Sequence, residues 1–154
     1  RQPGQRRCSL SLGGALNHAG RYGEAADLYR EMVGKDPGFP DAWNNLGVNL
    51  AALRRHAEAA EAYRKALLLD PGNASYHANL AQVLEAAGDL EAAGAEYRAA
   101  LRAAPDSPPL LRSLGLLLAR RGSREEARLL LQRADTLSPE GLDPEARAIL
   151  HSLP

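Results

Sequence analysis

Four prolines recur at a fixed interval of 34 residues, and this spacing constrains the fold more than any other feature of the sequence. They are Pro37, Pro71, Pro105 and Pro139. Written in that period, the chain divides without insertions into four units, 6–39, 40–73, 74–107 and 108–141. A fixed period of about 20 to 50 residues indicates units that stack on their neighbours to bury a continuous core. The sequence therefore predicts a linear array of four equivalent units.

The aligned units show that each is a pair of helices. Leucine occupies positions 7 and 11, which lie on one face of a helix and form an apolar stripe. Glycine or alanine at positions 8 and 20 allows two helices to approach closely, and a large residue at position 24 fills the remaining space. These columns are Leu12, Leu46, Leu80 and Leu114; Leu16, Leu50, Leu84 and Leu118; Gly13, Gly47, Ala81 and Gly115; Ala25, Ala59, Ala93 and Ala127; and Tyr29, Tyr63, Tyr97 and Leu131.

Two further columns mark the ends of the helices. The proline at position 32 stops the second helix and directs the chain into the next unit. Position 15 falls in the turn between the two helices and holds Gly20, Gly88 and Gly122. The 34-residue stretch 40–73 departs from this pattern, because Arg54 stands where the others have glycine. Each unit is therefore predicted to be a helix-turn-helix hairpin.

This pattern resembles the tetratricopeptide repeat family over residues 6–141. Unit 40–73 carries almost the whole family motif, in Trp43, Leu46, Gly47, Leu50, Ala59, Tyr63, Ala66 and Pro71. The resemblance implies an all-α fold, a right-handed α-solenoid of four repeats. The departures from the motif are Ser9, His77 and Leu111 at the position of Trp43, and Leu131 at the tyrosine position.

Short segments flank the four repeats. Residues 1–5 are expected to form an N-terminal tail, and residues 142–154 to form a capping helix. Asp143 can cap that helix, Pro144 suits its first position and Glu145 its first turn. The apolar residues that follow have helical spacing, as expected for a helix that covers the open face of the last repeat. The alternative is that this segment begins a further repeat.

Charge and composition exclude several classes of protein. The 19 basic and 19 acidic residues cancel, whereas a protein that binds nucleic acid normally carries a basic excess. Cys8 is the single cysteine, so an internal disulfide is impossible. No apolar run reaches the roughly 20 residues of a membrane span, so membrane insertion of this segment is not expected. The chain lacks an initiator methionine, and we expect a fragment of a longer, cytoplasmic protein.

The sequence offers little catalytic chemistry. It contains no zinc-protease, P-loop, nucleophile-elbow or dinucleotide-binding motif. The carboxylates, including Glu125 and Glu126, lie beside arginines and are expected to form solvated ion pairs. The histidines, among them His56 and His77, occupy packing or surface columns. We therefore expect no enzyme, no cofactor and no metal site.

The family resemblance implies a groove for a protein or peptide partner. In this family the first helices line that groove through positions 2, 5, 6, 9, 12 and 13. The residues predicted to bind the peptide are Ser11, Asp41, Asn44, Asn45, Val48, Ser75, Asn79, Gln82, Arg112, Ser113 and Leu116. Glu85 and Arg120 lie on the same predicted wall. The family's carboxylate clamp is not expected, since the required lysines and arginines are absent from its positions.

Two asparagines at position 6 suggest how such a groove would hold its partner. An asparagine amide both donates and accepts hydrogen bonds, so Asn45 and Asn79 can bind the backbone of an extended segment. This arrangement resembles the asparagine ladder in the superhelical arm of O-linked N-acetylglucosamine transferases. The alternative is that these asparagines only bond to neighbouring helices.

The expected function is that of a protein-interaction scaffold that binds an extended partner segment. Two alternatives stay open from the sequence alone. The repeats could be the substrate-docking arm of a larger glycosyltransferase, or a module that self-associates into a homo-oligomer.

Overall fold

The computed structural model describes residues 3–138 and 141–153, with side chains described from residue 9 onward. Within these residues the chain forms nine α-helices and no strand. They are α1 (Pro3–His18), α2 (Tyr22–Lys35), α3 (Pro40–Ala52), α4 (His56–Leu69), α5 (Ala74–Ala86), α6 (Leu90–Ala103), α7 (Pro108–Arg120), α8 (Arg124–Leu137) and α9 (Pro144–Ser152). Helices α3, α5 and α7 begin 34 residues apart, as the proline spacing predicts.

The chain folds as two compact units, Arg1–Gly72 and Asn73–Pro154. In the first unit α2 packs on α1 and α3, and α3 packs on α4. In the second unit α6 packs on α5 and α7, α7 packs on α8, and α9 packs on both α7 and α8. Each helix therefore packs mainly on its neighbours in the sequence, as expected for a repeat protein.

The first, second and fourth hairpins each close where a glycine of the first helix meets a large side chain of the second, whereas the third hairpin has Ala81 at this position. A Cβ atom built on Gly47 would lie 2.6 Å from Cε1 of Tyr63, and one built on Gly115 would lie 2.8 Å from Cγ of Leu131. The ring of Tyr29 covers Gly13 in the same way. Because such distances are shorter than any normal carbon contact, the position-8 glycines set how closely these helices pack.

This contact gives a prediction in which two glycine substitutions have opposite effects. Gly47→Ala should lower the free energy of unfolding by about 1–3 kcal/mol, because the added methyl group displaces the ring of Tyr63. Gly14→Ala is the matched control, since a Cβ atom there meets nothing within 4 Å. Alanine in an open helical position should raise the free energy of unfolding by about 0.5–1 kcal/mol. Urea denaturation measures both; equal effects would contradict the packing role of Gly47.

The turn inside each hairpin uses the left-handed backbone region. Gly20, Gly88 and Gly122 have φ angles of 72°, 89° and 84°, and Arg54 has a φ angle of 60° at the equivalent position. Glycine adopts this conformation at no steric cost, whereas a residue with a Cβ atom does so at a cost of about 1–2 kcal/mol. The departure at Arg54 therefore leaves the turn geometry unchanged and adds strain to the first unit.

Replacement of Arg54 should therefore stabilise the protein. We expect Arg54→Gly to raise the free energy of unfolding by about 1 kcal/mol, because glycine relieves the strain of the left-handed conformation. Arg54→Ala removes the same exposed side chain but keeps a Cβ atom, so it should change stability by less than about 0.5 kcal/mol. Chemical denaturation of the three proteins measures the difference, and equal stability of the two variants would contradict this account.

The second helices stop where the prolines require. α2 ends two residues before Pro37, α4 two before Pro71, and α6 two before Pro105. The fourth proline, Pro139, lies outside the described residues, as does the side chain of Cys8. Because proline disfavours a helical conformation in the residue before it, these positions separate each hairpin from the next.

The two segments that flank the repeats compare differently with their predicted structures. α1 begins at Pro3, whereas residues 1–5 were expected to form a tail; proline is well suited to the first turn of a helix. The expected capping helix is confirmed as α9. Asp143 is its N-cap and accepts a hydrogen bond of 2.9 Å from the backbone N–H of Ala146. Ala146 and Leu142 are buried against Leu111 and other core residues, so α9 covers part of the last hairpin.

The leucine stripe at position 7 is buried in three repeats and exposed in the first. Leu46, Leu80 and Leu114 are between 2% and 5% exposed, whereas Leu12 is 54% exposed. In the first unit α3 lies between α2 and α4, while α1 packs on α2. The side chain of Leu12 is therefore an exposed apolar group at the edge of the first hairpin.

Candidate groove residues and the comparison with known proteins

All eleven residues predicted to bind a peptide lie on first helices and are accessible. Five belong to the first unit, namely Ser11, Asp41, Asn44, Asn45 and Val48. Six belong to the second unit, namely Ser75, Asn79, Gln82, Arg112, Ser113 and Leu116. None is buried; each is exposed or half-buried. Leu116 also packs against the core around Leu111, so only part of its side chain can contact a partner.

In the first unit, Asn45 is held by neighbouring side chains. Burial raises the pKa of the Tyr29 hydroxyl, and a hydrogen bond from the side chain of Asn45 opposes that rise. A bond that favours the ionised phenol is one in which the amide donates to the tyrosine oxygen. On its other side, Asn45 Oδ1 is 3.5 Å from Nδ2 of Asn44. The amide of Asn45 is therefore oriented by the protein before any partner binds.

In the second unit, polar side chains from α5, α6 and α7 form one network. The Tyr97 hydroxyl donates to Oε2 of Glu85 at 3.0 Å, and a hydrogen bond from Ser113 opposes the rise in the Tyr97 pKa that burial causes. Arg120 forms an ion pair with Oε1 of the same Glu85. Glu85 and Arg120 were predicted to lie on the same wall, but their pairing was not predicted.

Arg112 forms a second ion pair, which joins α7 to the start of α9. Its Nη1 donates to Oδ2 of Asp143 at 2.6 Å. The backbone N–H of Ala146 and the guanidinium of Arg112 together hold the pKa of Asp143 below its usual value. A cleft of about 220 Å³ opens beside this pair, lined in part by Pro108 and Leu142. It is smaller than the roughly 300–1,000 Å³ of typical small-molecule sites.

The second helices of this unit form ion pairs as well, one between α6 and α8 and one between α8 and Asp106, which follows α6. Arg98 Nη2 lies 3.1 Å from Glu126 Oε1, and Arg133 Nη2 lies 2.5 Å from Asp106 Oδ1. The pairing of Glu126 confirms the solvated ion pair that the sequence predicted for it. These groups are between 42% and 70% exposed, and exposed pairs contribute at most about 1 kcal/mol each.

The pair formed by His77 and Glu96 was not predicted. His77 Nδ1 lies 2.6 Å from Glu96 Oε2, with both side chains largely shielded from solvent. The equivalent positions of the next repeat hold two leucines, Leu111 and Leu130. The signal was present in the alignment, since both columns become polar in the same repeat.

Side chains that could bind a metal ion do not cluster in the described part of the chain. Its His, Cys, Asp and Glu side chains form no group of three that could hold a metal ion. Among the described residues, no helix combines the length and apolar character needed to cross a membrane.

Comparison with known proteins first defines the class of fold. Two sequence models of the tetratricopeptide repeat family match the chain, over residues 6–49 and over residues 33–74 and 44–108. Together with the four helical hairpins, these matches identify an all-α solenoid of helix-turn-helix repeats. The chain belongs to the tetratricopeptide repeat family, and it is a protein-interaction scaffold of that class. No curated protein sequence matches the chain.

Solved structures share this fold over nearly the whole chain. MamA 41-end from Desulfovibrio magneticus RS-1 is 21% identical, with a TM-score of 0.85 over 96% of this chain and 82% of that one. PilF of Pseudomonas aeruginosa is 23% identical, with a TM-score of 0.85 over 96% and 67%. A thermophilic tetratricopeptide repeat protein of Thermus thermophilus, TTC0263, is 26% identical, with a TM-score of 0.73 over 96% and 80%. The predicted α-solenoid fold is therefore confirmed.

The buried tyrosines predict how stability depends on alkaline pH. Burial raises the pKa of Tyr63 more than that of Tyr29 or Tyr97. A tyrosine in the unfolded chain ionises at about pH 10. Above that pH the unfolded chain loses protons that the folded chain keeps, so the free energy of unfolding falls as pH rises. Tyr63→Phe should flatten this fall between about pH 10 and pH 11.

The measurement is urea denaturation of the wild type and variants at a series of alkaline pH values. Tyr22→Phe is the control, because it also removes a hydroxyl but lies half-buried at the start of α2. The raised pKa of Tyr63 would be contradicted if the free energy of unfolding of Tyr63→Phe fell with pH as steeply as that of the wild type and of Tyr22→Phe.

Proposed function

We propose that the chain holds an extended segment of a partner protein against its first helices, without catalysing a reaction. Within the first unit Asn45 binds partner backbone, and within the second unit Asn79 does the same. The accessibility of all eleven predicted residues supports this proposal, because an extended segment needs exposed polar groups to bind its backbone. Family membership supports the general role of a scaffold.

The hydrogen-bonding capacity of Asn45 carries the proposal. Its amide has two N–H donors and a carbonyl oxygen with two lone pairs. Tyr29 takes one donor, and Asn44 lies at the limit of hydrogen-bonding distance from the oxygen. One donor and at least one acceptor site remain for a partner. A backbone peptide group presents one donor and one acceptor, so it matches what Asn45 retains.

The contact to Tyr29 bears on the alternative that Asn45 only bonds to a neighbouring helix. Such a bond uses a single donor of the amide, so structural and binding roles are compatible in one side chain. The bond also fixes which end of the amide faces Tyr29. A fixed orientation lowers the entropy lost when a partner binds.

The proposal predicts that loss of the two asparagine amides weakens binding. The probe is a displayed library of random peptides of about 16 residues, each about 50 Å long when extended. For the best binder, we expect Asn45→Ala and Asn79→Ala each to raise Kd about 3- to 10-fold, as the loss of one or two neutral hydrogen bonds implies. The effects should combine in the double variant. Fluorescence polarisation with the full chain measures Kd.

Gln132→Ala is the matched control, because it removes an exposed amide from the second helix α8. It should leave Kd unchanged. Circular dichroism must show that every variant keeps its helices. An unchanged Kd in the double asparagine variant would rule out the backbone-binding role. A binder whose affinity falls with Gln132→Ala instead would place the binding surface on second helices.

A further inference from the structure

The charged groups of the second-unit wall neutralise one another within the unit. We define this wall by eight accessible residues of α5 and α7 at predicted groove positions, namely Ser75, Asn79, Gln82, Glu85, Arg112, Ser113, Leu116 and Arg120. Its charged members are Glu85, Arg112 and Arg120. We propose that this wall selects a partner segment without net charge. The inference rests on the proposed function and adds the chemistry of the partner.

Glu85 is occupied on both of its carboxylate oxygens. Arg120 pairs with Oε1, and the Tyr97 hydroxyl donates to Oε2 at 3.0 Å. The Glu85 side chain is only 21% exposed, while that of Arg120 is 55% exposed. A basic group of a partner would meet a carboxylate whose charge Arg120 already balances. The wall therefore offers no uncompensated negative charge at this position.

Arg112 is likewise committed to an internal partner. Asp143 accepts from Arg112 through Oδ2 and from the N–H of Ala146 through Oδ1, at 2.6 Å and 2.9 Å. An acidic group of a partner that took Arg112 would leave Asp143 without its cation at the start of α9. The position of Asp143 at a helix N-terminus keeps it ionised and in place. The charge of Arg112 is therefore already balanced within the unit.

The other members of the wall are uncharged. Ser75, Asn79, Gln82 and Ser113 supply hydroxyl and amide groups, and Leu116 supplies partly exposed apolar surface. Such groups gain from hydrogen bonds to a backbone and from apolar contact, and neither interaction needs a charge on the partner. Because an uncharged segment brings no charges to screen, the affinity should depend little on salt concentration.

The test uses three displayed libraries of matched length and apolar content. One is built from uncharged residues, one contains aspartate and glutamate, and one contains lysine and arginine. The full chain should enrich the uncharged library most. For the best binder, Kd should change less than about twofold between low and high salt, because there are no partner charges to screen.

A variant that breaks one ion pair of the wall should change this preference. Arg120→Gln leaves Glu85 held by Tyr97 but without its cation. A version of the best peptide with one added lysine should then bind about 2- to 5-fold more tightly to Arg120→Gln than to the wild type, and the gain should disappear at high salt. Arg98→Gln is the matched control, because it leaves Glu126 unpaired on the second helices. It should produce no gain.

The outcomes separate the inference from the proposed function. Enrichment of a charged library, with an affinity that falls more than about tenfold at high salt, would overturn the inference and leave peptide binding intact. An equal gain in Arg98→Gln would also overturn it, since the effect would then not belong to the wall. Failure of all three libraries to bind the wild type would overturn the proposed function, and the inference with it.

Discussion

The close approach of the two helices in each hairpin is the constraint on which the rest of the structure depends. Gly47 faces Tyr63 and Gly115 faces Leu131 at distances that leave no room for a Cβ atom. This contact brings the first helix against the second and directs the apolar residues of both into a shared core. The opposite face of the first helix then carries the polar residues that remain accessible. The candidate binding surface is therefore a consequence of how the hairpin packs.

Much of the architecture could be predicted because it depends on local signals that recur. The 34-residue spacing of prolines, the leucine stripe and the glycine column each report on one hairpin, and repetition across the chain makes them unmistakable. At Arg54 the backbone adopts the same left-handed geometry without glycine. The rest of the repeat therefore determines the turn even where one residue departs from the motif. The cap at Asp143 was predictable for the same reason, as capping involves only the residues that follow it.

The details of the candidate site depend on contacts that the sequence does not encode locally. Arg120 and Glu85 lie on different helices, and whether their side chains meet is set by the stagger of α5 against α7. The same is true of Arg112 with Asp143, and of His77 with Glu96. The sequence placed Glu85, Arg112 and Arg120 on a polar wall, Asp143 at a helix cap and His77 in a packing column, but it predicted none of these pairs. Their pairing changes the interpretation of the wall. Its charged side chains are balanced by opposite charges within the same unit.

The central claim is that a partner binds along the first helices, and chemical-shift mapping by NMR tests it most directly. A 15N-labelled chain would be titrated with an unlabelled peptide selected from a library. We expect the perturbed signals to belong to α1, α3, α5 and α7 and to include the side-chain amide of Asn45. Perturbations confined to α2, α4, α6 and α8, with the Asn45 amide unaffected, would contradict it.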